Sequence, residues 1–362
     1  MKSGLLYVGN DRLHNKIFTE MDQNDEIICF DISGEAKNEK MISIVMDKNL
    51  RELCEDNVFL QISLAVAYAE AYSCDRLYLP YDNEIIKGET NKISKYISSL
   101  KKLVSIGTMN NLELVFAAVS DCEDECEIEE RRGCDDNRYL VLFSGGIDCT
   151  VAVAMLKNRN KDVYLINFEY GQRNSEEEAI CLSKTSEQFN LDYVKVDIRD
   201  FYDHIKFSSG LLNENIELNL GNKELEYVPF RNTIFFTIAL LYCIKMHISN
   251  ITSGSQRDDM ISPDNSPEYY EVLKNFIEYS KKYSNIKIEP ILKEVGGKSD
   301  IIALGTKLNV DFRYCWTCHC AGIYYDNVAH QCGICSDCRT RYRAFASLGI
   351  KDPIQYHVLP RI

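Results

Sequence analysis

Four cysteines near one end of this 362-residue chain, Cys318, Cys332, Cys335 and Cys338, stand at the spacing C-x13-C-x2-C-x2-C. Thiolates at that spacing can close a tetrahedron around Zn2+, and a complete four-sulfur shell leaves no coordination place for water, so the metal would be structural. Gly333, directly after Cys332, fits a knuckle turn. Cys315 and Cys320 are spare, and His319 and His330 read as surface or supporting groups because four cysteines already suffice. A second stretch able to do chemistry is Val141–Leu156, VLFSGGIDCTVAVAML. An apolar run breaks at Ser144, Gly145, Gly146 and Asp148, then resumes at helical spacing. A strand, a tight turn and a helix start would present unpaired N–H groups and the positive end of a helix dipole, a seat for phosphate. The turn does not fit G-x-x-x-x-G-K-[ST], which excludes a Walker-type loop.

These groups need a framework, and the remaining sequence supplies one. From Arg138 onward, strand and helix signals alternate: RYLVLF, CTVAVAMLKN, DVYLINF, SEEEAICLSKTSEQFN, DYVKVD, then the apolar NTIFFTIALLYCIKMH and the strand SNITSGS. This rhythm predicts an α/β fold, a doubly wound parallel sheet, with ligands collecting beyond the carboxyl ends of the strands. Residues 1–120 also read as a smaller α/β domain, with strands GLLYVGN, EIICFDIS, MISIVMD and LELVFAAV. Within it, NVFLQISLAVAYAEAYSCDRLYLP repeats the helix-to-strand step of NTIFFTIALLYCIKMHISNITSGS. The first domain is therefore either a degenerate second copy lacking the glycine turn or an unrelated cap of similar periodicity. Residues 121–137 form an acidic linker, and 138–362 the second domain with the metal segment at 318–338.

Composition narrows the function classes. The net charge is −14, and Asp121–Asp136 alone carries nine acids against two arginines, a net of −7. That balance argues against direct nucleic-acid binding. No apolar run approaches the roughly 20 residues that span a bilayer, so no membrane partner is expected and the chain is placed in the cytoplasm. Fifteen cysteines, six of them between Cys315 and Cys338, favour metal over disulfides in that reducing compartment.

The motifs together resemble one family. SGGIDCT resembles the pyrophosphate loop S-G-G-x-D-S of the PP-loop ATPases. EYGQRN (Glu169–Asn174), VPFRNTIFF (Val228–Phe236), GSQRDD (Gly254–Asp259) with SPDN, and LGIKDPIQY (Leu348–Tyr356) resemble, in order, segments of the 7-cyano-7-deazaguanine synthases, the QueC family. The resemblance runs from about Tyr139 to Tyr356 and places zinc ligands at the same four cysteines. It implies ATP and Mg2+ as cofactors and 7-carboxy-7-deazaguanine as substrate, activated as an acyl adenylate with release of pyrophosphate.

The residue roles follow the motifs. Ser144, Asp148, Arg231 and Lys298 are the expected catalytic groups. Gly145, Gly146, Cys149, Thr150, Gln172, Arg173 and Asn232 join Ser144, Asp148 and Arg231 in binding the nucleotide. Tyr170, Asp258, Asp259, Asp264 and Arg341 are expected at the deazapurine, where a carboxylate can accept two N–H bonds. For each a structural role competes: Asp264 as a turn residue, Arg341 as a helix salt bridge, Lys298 as a solvated helix start.

Three departures point away from an ordinary family member. Cys149 stands where serine is usual, Asn174 replaces a histidine, and Ser262 and Asn265 replace the residues flanking Pro-Asp. With the extra N-terminal domain, these resemble QueC-like proteins of anti-phage defence systems, which implies joining the deazaguanine to an amine of a partner protein. The alternatives are the housekeeping synthase using ammonia, a catalytically weak nucleotide-binding module, and a tRNA-thiolating enzyme built on Cys149 and Cys315. A homodimer is carried over as an expectation from the family.

Overall fold

The computed structural model describes residues 2–8, 17, 21, 26–33, 41–55, 57–118, 135–216, 218, 223–255 and 263–361. Asp258, Asp259, Ser262 and the acidic segment up to Cys134 lie outside the described residues. The chain forms two compact units: Met1–Cys134 with Pro229–His247 and Ser262–Lys287, and Asp135–Val228 with Ile248–Ile261 and Ile288–Ile362. A single cut at the acidic linker therefore does not reproduce the units, because two segments from beyond it pack with the N-terminal part.

The first unit is built on five strands, β1 (Lys2–Tyr7), β2 (Glu26–Asp31), β3 (Met41–Ser43), β4 (Arg76–Asp82) and β5 (Glu113–Ala118), in the order β3-β2-β1-β4-β5 with every pairing parallel. Helices α1 (Lys48–Glu55), α2 (Val58–Ala71), α3 (Asn83–Glu89) and α4 (Ile93–Gly107) connect them. Helix α2 starts where the Asn57 side chain accepts the Leu60 N–H at 2.8 Å, a stabilising N-cap. Its apolar residues surround the axis, so nearly the whole helix is buried. Helix α4 buries one stripe, from Ile93 and Tyr96 through Leu100 to Leu103, Val104 and Gly107.

The second unit repeats the architecture with β6 (Asp135–Leu142), β7 (Asp162–Glu169), β8 (Tyr193–Asp197), β9 (Ile248–Ser253) and β10 (Lys287–Ile288), in the order β10-β9-β6-β7-β8. Strands β6, β7, β8 and β9 pair in parallel. The helices α5 (Ile147–Asn158), α6 (Ser175–Phe189) and α7 (Arg199–Asp203) follow β6, β7 and β8. Between β8 and β10 the chain also makes α8 (Arg231–Met246) and α9 (Pro267–Tyr279), which belong to the first unit. After β10 come α10 (Lys298–Lys307), β11 (Ile323–Tyr325), β12 (Val328–Gln331), α11 (Ser336–Ser347) and β13 (Gln355–Tyr356). The three short strands form their own sheet. Helix α5 is apolar on both sides for a reason: Val153 and Leu156 pack with Val141 and Leu165 of the sheet, while Ile147, Val151 and Met155 pack with Ile301 and Ile302 of α10.

Contrary to the reading of the sequence, one helical stretch, Glu224–Met246, is long and apolar enough to cross a membrane, with a mean hydropathy of 1.4. Of its apolar window 61% is buried inside the protein, the condition of a core helix.

Candidate active site and metal centre

The glycine turn lies at the switch point of the second sheet, between β6 and β9, where strand order reverses and parallel sheets collect ligands. Gly145 takes a φ of +75°, which favours glycine, and a Cβ there would come within 2.7 Å of Cys181. Gly146 differs. Its φ of −74° suits any residue, and among the described residues an added Cβ would meet nothing closer than the Ser144 hydroxyl at 3.6 Å. Among the described residues nothing in the packing requires glycine at 146. An approaching ligand would. The turn is held from below by Trp316, whose N–H donates to the Gly145 carbonyl at 2.9 Å. Gly254, beyond the end of β9, lets that strand close on the start of α5, since a Cβ would lie 2.6 Å from the Cys149 nitrogen.

Asp148 and Lys298 are brought together. The Lys298 ammonium donates to Asp148 Oδ2, and both side chains are largely buried. Burial raises the Asp148 carboxyl above its ordinary range, Lys298 opposes that shift, and the charge of Asp337 adds to it. Asp148 Oδ1 is buried with no hydrogen-bond partner among the described residues. A lysine at the first position of a helix sits against the dipole, so pairing with Asp148 offsets an unfavourable placement.

Cys149 and Thr150 turn inward. Cys149 Sγ donates to the Gly146 carbonyl at 3.2 Å and lies 3.7 Å from Ser144 Oγ, while burial pushes its thiol up to about 11. Thr150 Oγ1 donates to the same carbonyl at 2.8 Å. Ser144 itself is exposed.

The EYGQRN segment is used internally. Gln172 is buried, donates to the Phe168 carbonyl at 3.0 Å and to Glu178 Oε2 at 2.9 Å, and accepts the Tyr170 N–H. Arg173 donates to the carbonyls of Asn213 and Ile216, clamping that loop. Tyr170 is buried edge-on against Tyr202. Asn174, the departure from histidine, spans two elements: its amide donates to Glu178 Oε1 at 3.2 Å and to the Cys318 carbonyl at 3.0 Å.

Arg341 is fully buried, and its guanidinium is occupied by the protein. It forks onto Asp352 with two bonds of 2.9 Å and donates to the carbonyls of Cys315 and Phe312. Tyr356 adds a 2.7 Å bond to Asp352. The D-P-x-x-Y motif thus fixes Arg341, which holds the segment that carries Trp316 under the glycine turn. The sequence reading placed Arg341 at the substrate; the geometry gives it this positioning role.

Arg231, Asn232 and Asp264 come together in the first unit. Asp264 accepts the Asn232 N–H at 2.9 Å, in the first turn of α8, and Arg231 Nε lies 3.3 Å from Asn232 Oδ1. Burial pushes the Asp264 carboxyl up to about 6, against the pull of Arg231.

The four cysteines converge. Their sulfurs all lie within 4.8 Å of one another and all four residues are buried. A Zn–S bond of about 2.3 Å implies sulfurs about 3.8 Å apart, and Cys332 and Cys338 stand at 3.9 Å. Backbone N–H groups point at the sulfurs: Cys320 and Cys332 toward Cys318, Cys335 toward Cys332, and Cys338 toward Cys335, at 3.4–3.5 Å. Such donors stabilise thiolate charge. Hydrogen bonds from Cys318 and the other thiols hold Cys332 far below the usual thiol range. Gly333 has a φ of +78°, and a Cβ there would run into the Val358 carbonyl. The donor set fits zinc. His319 stands outside it, between Asp337 at 3.4 Å and Glu226 at 3.7 Å. Burial works to lower its pKa, but the two carboxylates outweigh that and raise it to about 9. His330 packs edge-on against Tyr325.

Sequence reasoning missed Glu178, Trp316, Asp337 and Asp352. The three acids of SEEEA look like a solvated helix start; the spacing Asn174 to Glu178, one helical turn, was the available signal.

The fold and site thus define an α/β protein with a phosphate-type turn at the switch point of a parallel sheet and a four-cysteine centre beneath it. Residues 138–349 match the family described as "QueC: Queuosine biosynthesis protein QueC", and the chain belongs to that family. A 7-cyano-7-deazaguanine synthase of Thermoplasma volcanium is 32% identical over 244 residues, 62% of this chain and 92% of the relative. The enzyme of the same name from Caldicellulosiruptor saccharolyticus is 32% identical over 226 residues, 61% of this chain and 96% of the relative. Among solved structures, an NH3-dependent NAD synthetase of Campylobacter jejuni is similar at a TM-score of 0.32 and 19% identity, covering 50% of this chain and 67% of that one.

Proposed function

We propose that this chain is an ATP-dependent ligase that activates the carboxylate of 7-carboxy-7-deazaguanine and joins it to an amine of a partner protein in an anti-phage defence system. One observation supports the nucleotide reading: at the start of α5 the described residues would accommodate a Cβ at 146 without a clash, yet the residue is glycine. Backbone amides there can approach a pyrophosphate, and the helix dipole favours its charge.

The carboxylate oxygen would attack the α-phosphorus of ATP, forming a C–O–P bond as the bond to pyrophosphate breaks. The amine nitrogen would then attack the acyl carbon. A C–N bond forms, the C–O bond to AMP breaks, and the amine gives up a proton. Ser144 would donate to the pyrophosphate. Lys298 would offset its negative charge while keeping Asp148 ionised. Asp148, with one buried oxygen unpartnered, is the residue that would hold Mg2+, an ion that supplies charge neutralisation when bound. Arg231 and Asn232 are proposed at the phosphates, and Tyr170, Asp258, Asp259 and Asp264 at the deazapurine. Zn2+ in the four-cysteine centre would hold the segment that supports Gly145. Four thiolates must stay reduced for this, so a cytoplasmic setting is part of the proposal.

The extra N-terminal residues, Cys149, Asn174 and the altered Pro-Asp flanks support the protein acceptor. A second reading, conversion to the nitrile with ammonia, is favoured by the names of the relatives. Mass spectrometry after incubation with ATP, Mg2+ and 7-carboxy-7-deazaguanine separates them. The proposal expects AMP and a deazaguanine mass added to a neighbouring protein. Free nitrile with ammonium would install the second reading, and no AMP at all would leave a nucleotide-binding module.

A further inference from the structure

The two five-stranded sheets share one strand order. Numbered from its own first strand, each reads 3-2-1-4-5: β3-β2-β1-β4-β5 in one and, from its other edge, β8-β7-β6-β9-β10 in the other. The helices agree in two slots, before the fourth strand and before the fifth. Helix α2 leads into fourth strand β4 and α8 into fourth strand β9, while α4 lies between fourth and fifth strands in the first copy and α9 in the second.

The slot-matched helices also pack on one another. Helix α2 meets α8, and α4 meets α9. Where α2 and α8 cross, the hydroxyls of Ser63 and Thr237 stand 3.5 Å apart. Each also donates to the carbonyl four residues back in its own helix, Ser63 to Phe59 at 2.8 Å and Thr237 to Thr233 at 2.7 Å. Beside them the ring of Phe276 of α9 lies tilted against Tyr96 of α4 at 4.7 Å and against Phe59 of α2 at 4.3 Å. Slot-matched elements that meet one another are the mark of a two-fold contact, the kind two copies of one chain make. An unrelated cap has no reason to offer the same slots.

The copies differ at the first turn. Phe143 of the second copy is followed by S-G-G-I-D, whereas Tyr7 of the first is followed by V-G-N-D, of which residues 9–11 lie outside the described residues. The Thermoplasma volcanium relative, 92% of which aligns with 62% of this chain, has length for one copy. Its counterparts of α8 and α9 would expose large apolar faces or cover them with another chain.

We infer that residues 2–118 are a degenerate copy of the nucleotide-binding fold that covers α8 and α9 in cis, in the seat that a second chain would otherwise take. The protein is a covalent pseudodimer: one chain, two copies of the fold, one competent turn. This goes beyond the proposed function and stands without it.

The test is a full-length S63C/T237C variant oxidised with copper–phenanthroline and mapped by peptide mass spectrometry. The expected result is a 63–237 disulfide within one chain, in a particle of 41.6 kDa by light scattering. A 63–237 link between two chains, or no such link in folded protein, would overturn the inference. Should the double variant fail to fold, the wild-type mass decides: one chain supports it, and a stable dimer overturns it. Equilibrium dialysis with an ATP analogue adds a second arm. One site per chain is expected and two would contradict a degenerate first turn. No binding would count against the ligase reading alone, leaving the disulfide to decide the packing.

Discussion

The two sheets of this molecule are alike in strand order and unlike at the turn that leaves the central strand. After β6, Gly145 takes a positive φ, Gly146 has room for a Cβ at ordinary contact distances, and Asp148 and Lys298 face each other beside them. In the first copy the residues just after Val8 lie outside the described ones, and its helices α2 and α4 pack against α8 and α9. On the proposed reading, one copy of this strand order carries the ligand turn and the other serves as packing.

The largest expected effect tests what supports the active turn. Replacing Cys332 with serine, or stripping metal with a strong chelator, should release the segment around Cys318–Cys338 and abolish AMP formation. Structural zinc contributes roughly 10 kcal/mol or more to small sites. Metal analysis with limited proteolysis reads the outcome, and full activity in metal-free protein would remove the four-cysteine centre from the account.

Two glycines separate ligand space from packing space. Gly146→Ala should leave the melting temperature within about a degree yet lower AMP formation by about 100-fold, the scale of losing an oriented donor. Gly254→Ala should instead destabilise the fold by about 1–3 kcal/mol, because its Cβ meets the Cys149 backbone. Equal effects on stability would erase the distinction.

Asp264 gives a pH signature in the first unit. Its folded pKa of about 6 lies above its ordinary 3.8, so the protonated form favours folding. That contribution is fully present below about pH 4 and is lost as pH rises through 6, about 3 kcal/mol in all. Asp264→Asn should therefore match the wild type at pH 4 and exceed it in urea melts at pH 7.5. A variant less stable at pH 7.5 would show that the ionised carboxylate, through its bond to the Asn232 N–H, outweighs its burial.

The smallest effect belongs to Cys149→Ser. The thiol is buried, protonated and directed at the Gly146 carbonyl, so the family-typical serine should change AMP formation by no more than about 3-fold. A much larger change, in either direction, would give Cys149 a direct part in catalysis.

Much of this was legible in the sequence for physical reasons. Buried parallel strands such as RYLVLF and DVYLINF announce themselves as apolar runs, and the thiols of a metal knuckle sit at fixed spacing. The features that were not legible depend on burial and on long-range pairing. No local pattern shows that Arg341 meets Asp352 or that Gln172 and Asn174 converge on Glu178. Helices α4 and α9 were also passed over, although the stripe of Ile93, Tyr96, Leu100 and Leu103 is periodic. The strands of two to four residues around the metal centre are too short to carry a period.

The central claim is that the turn after β6 adenylates a carboxylate. The most direct measurement is exchange of labelled pyrophosphate into ATP by the full-length protein, with and without 7-carboxy-7-deazaguanine. The account predicts exchange that requires this carboxylate and falls by about 100–1000-fold in Asp148→Asn. No exchange and no AMP formation from the folded, metal-replete protein, or equal exchange in Asp148→Asn, would contradict it.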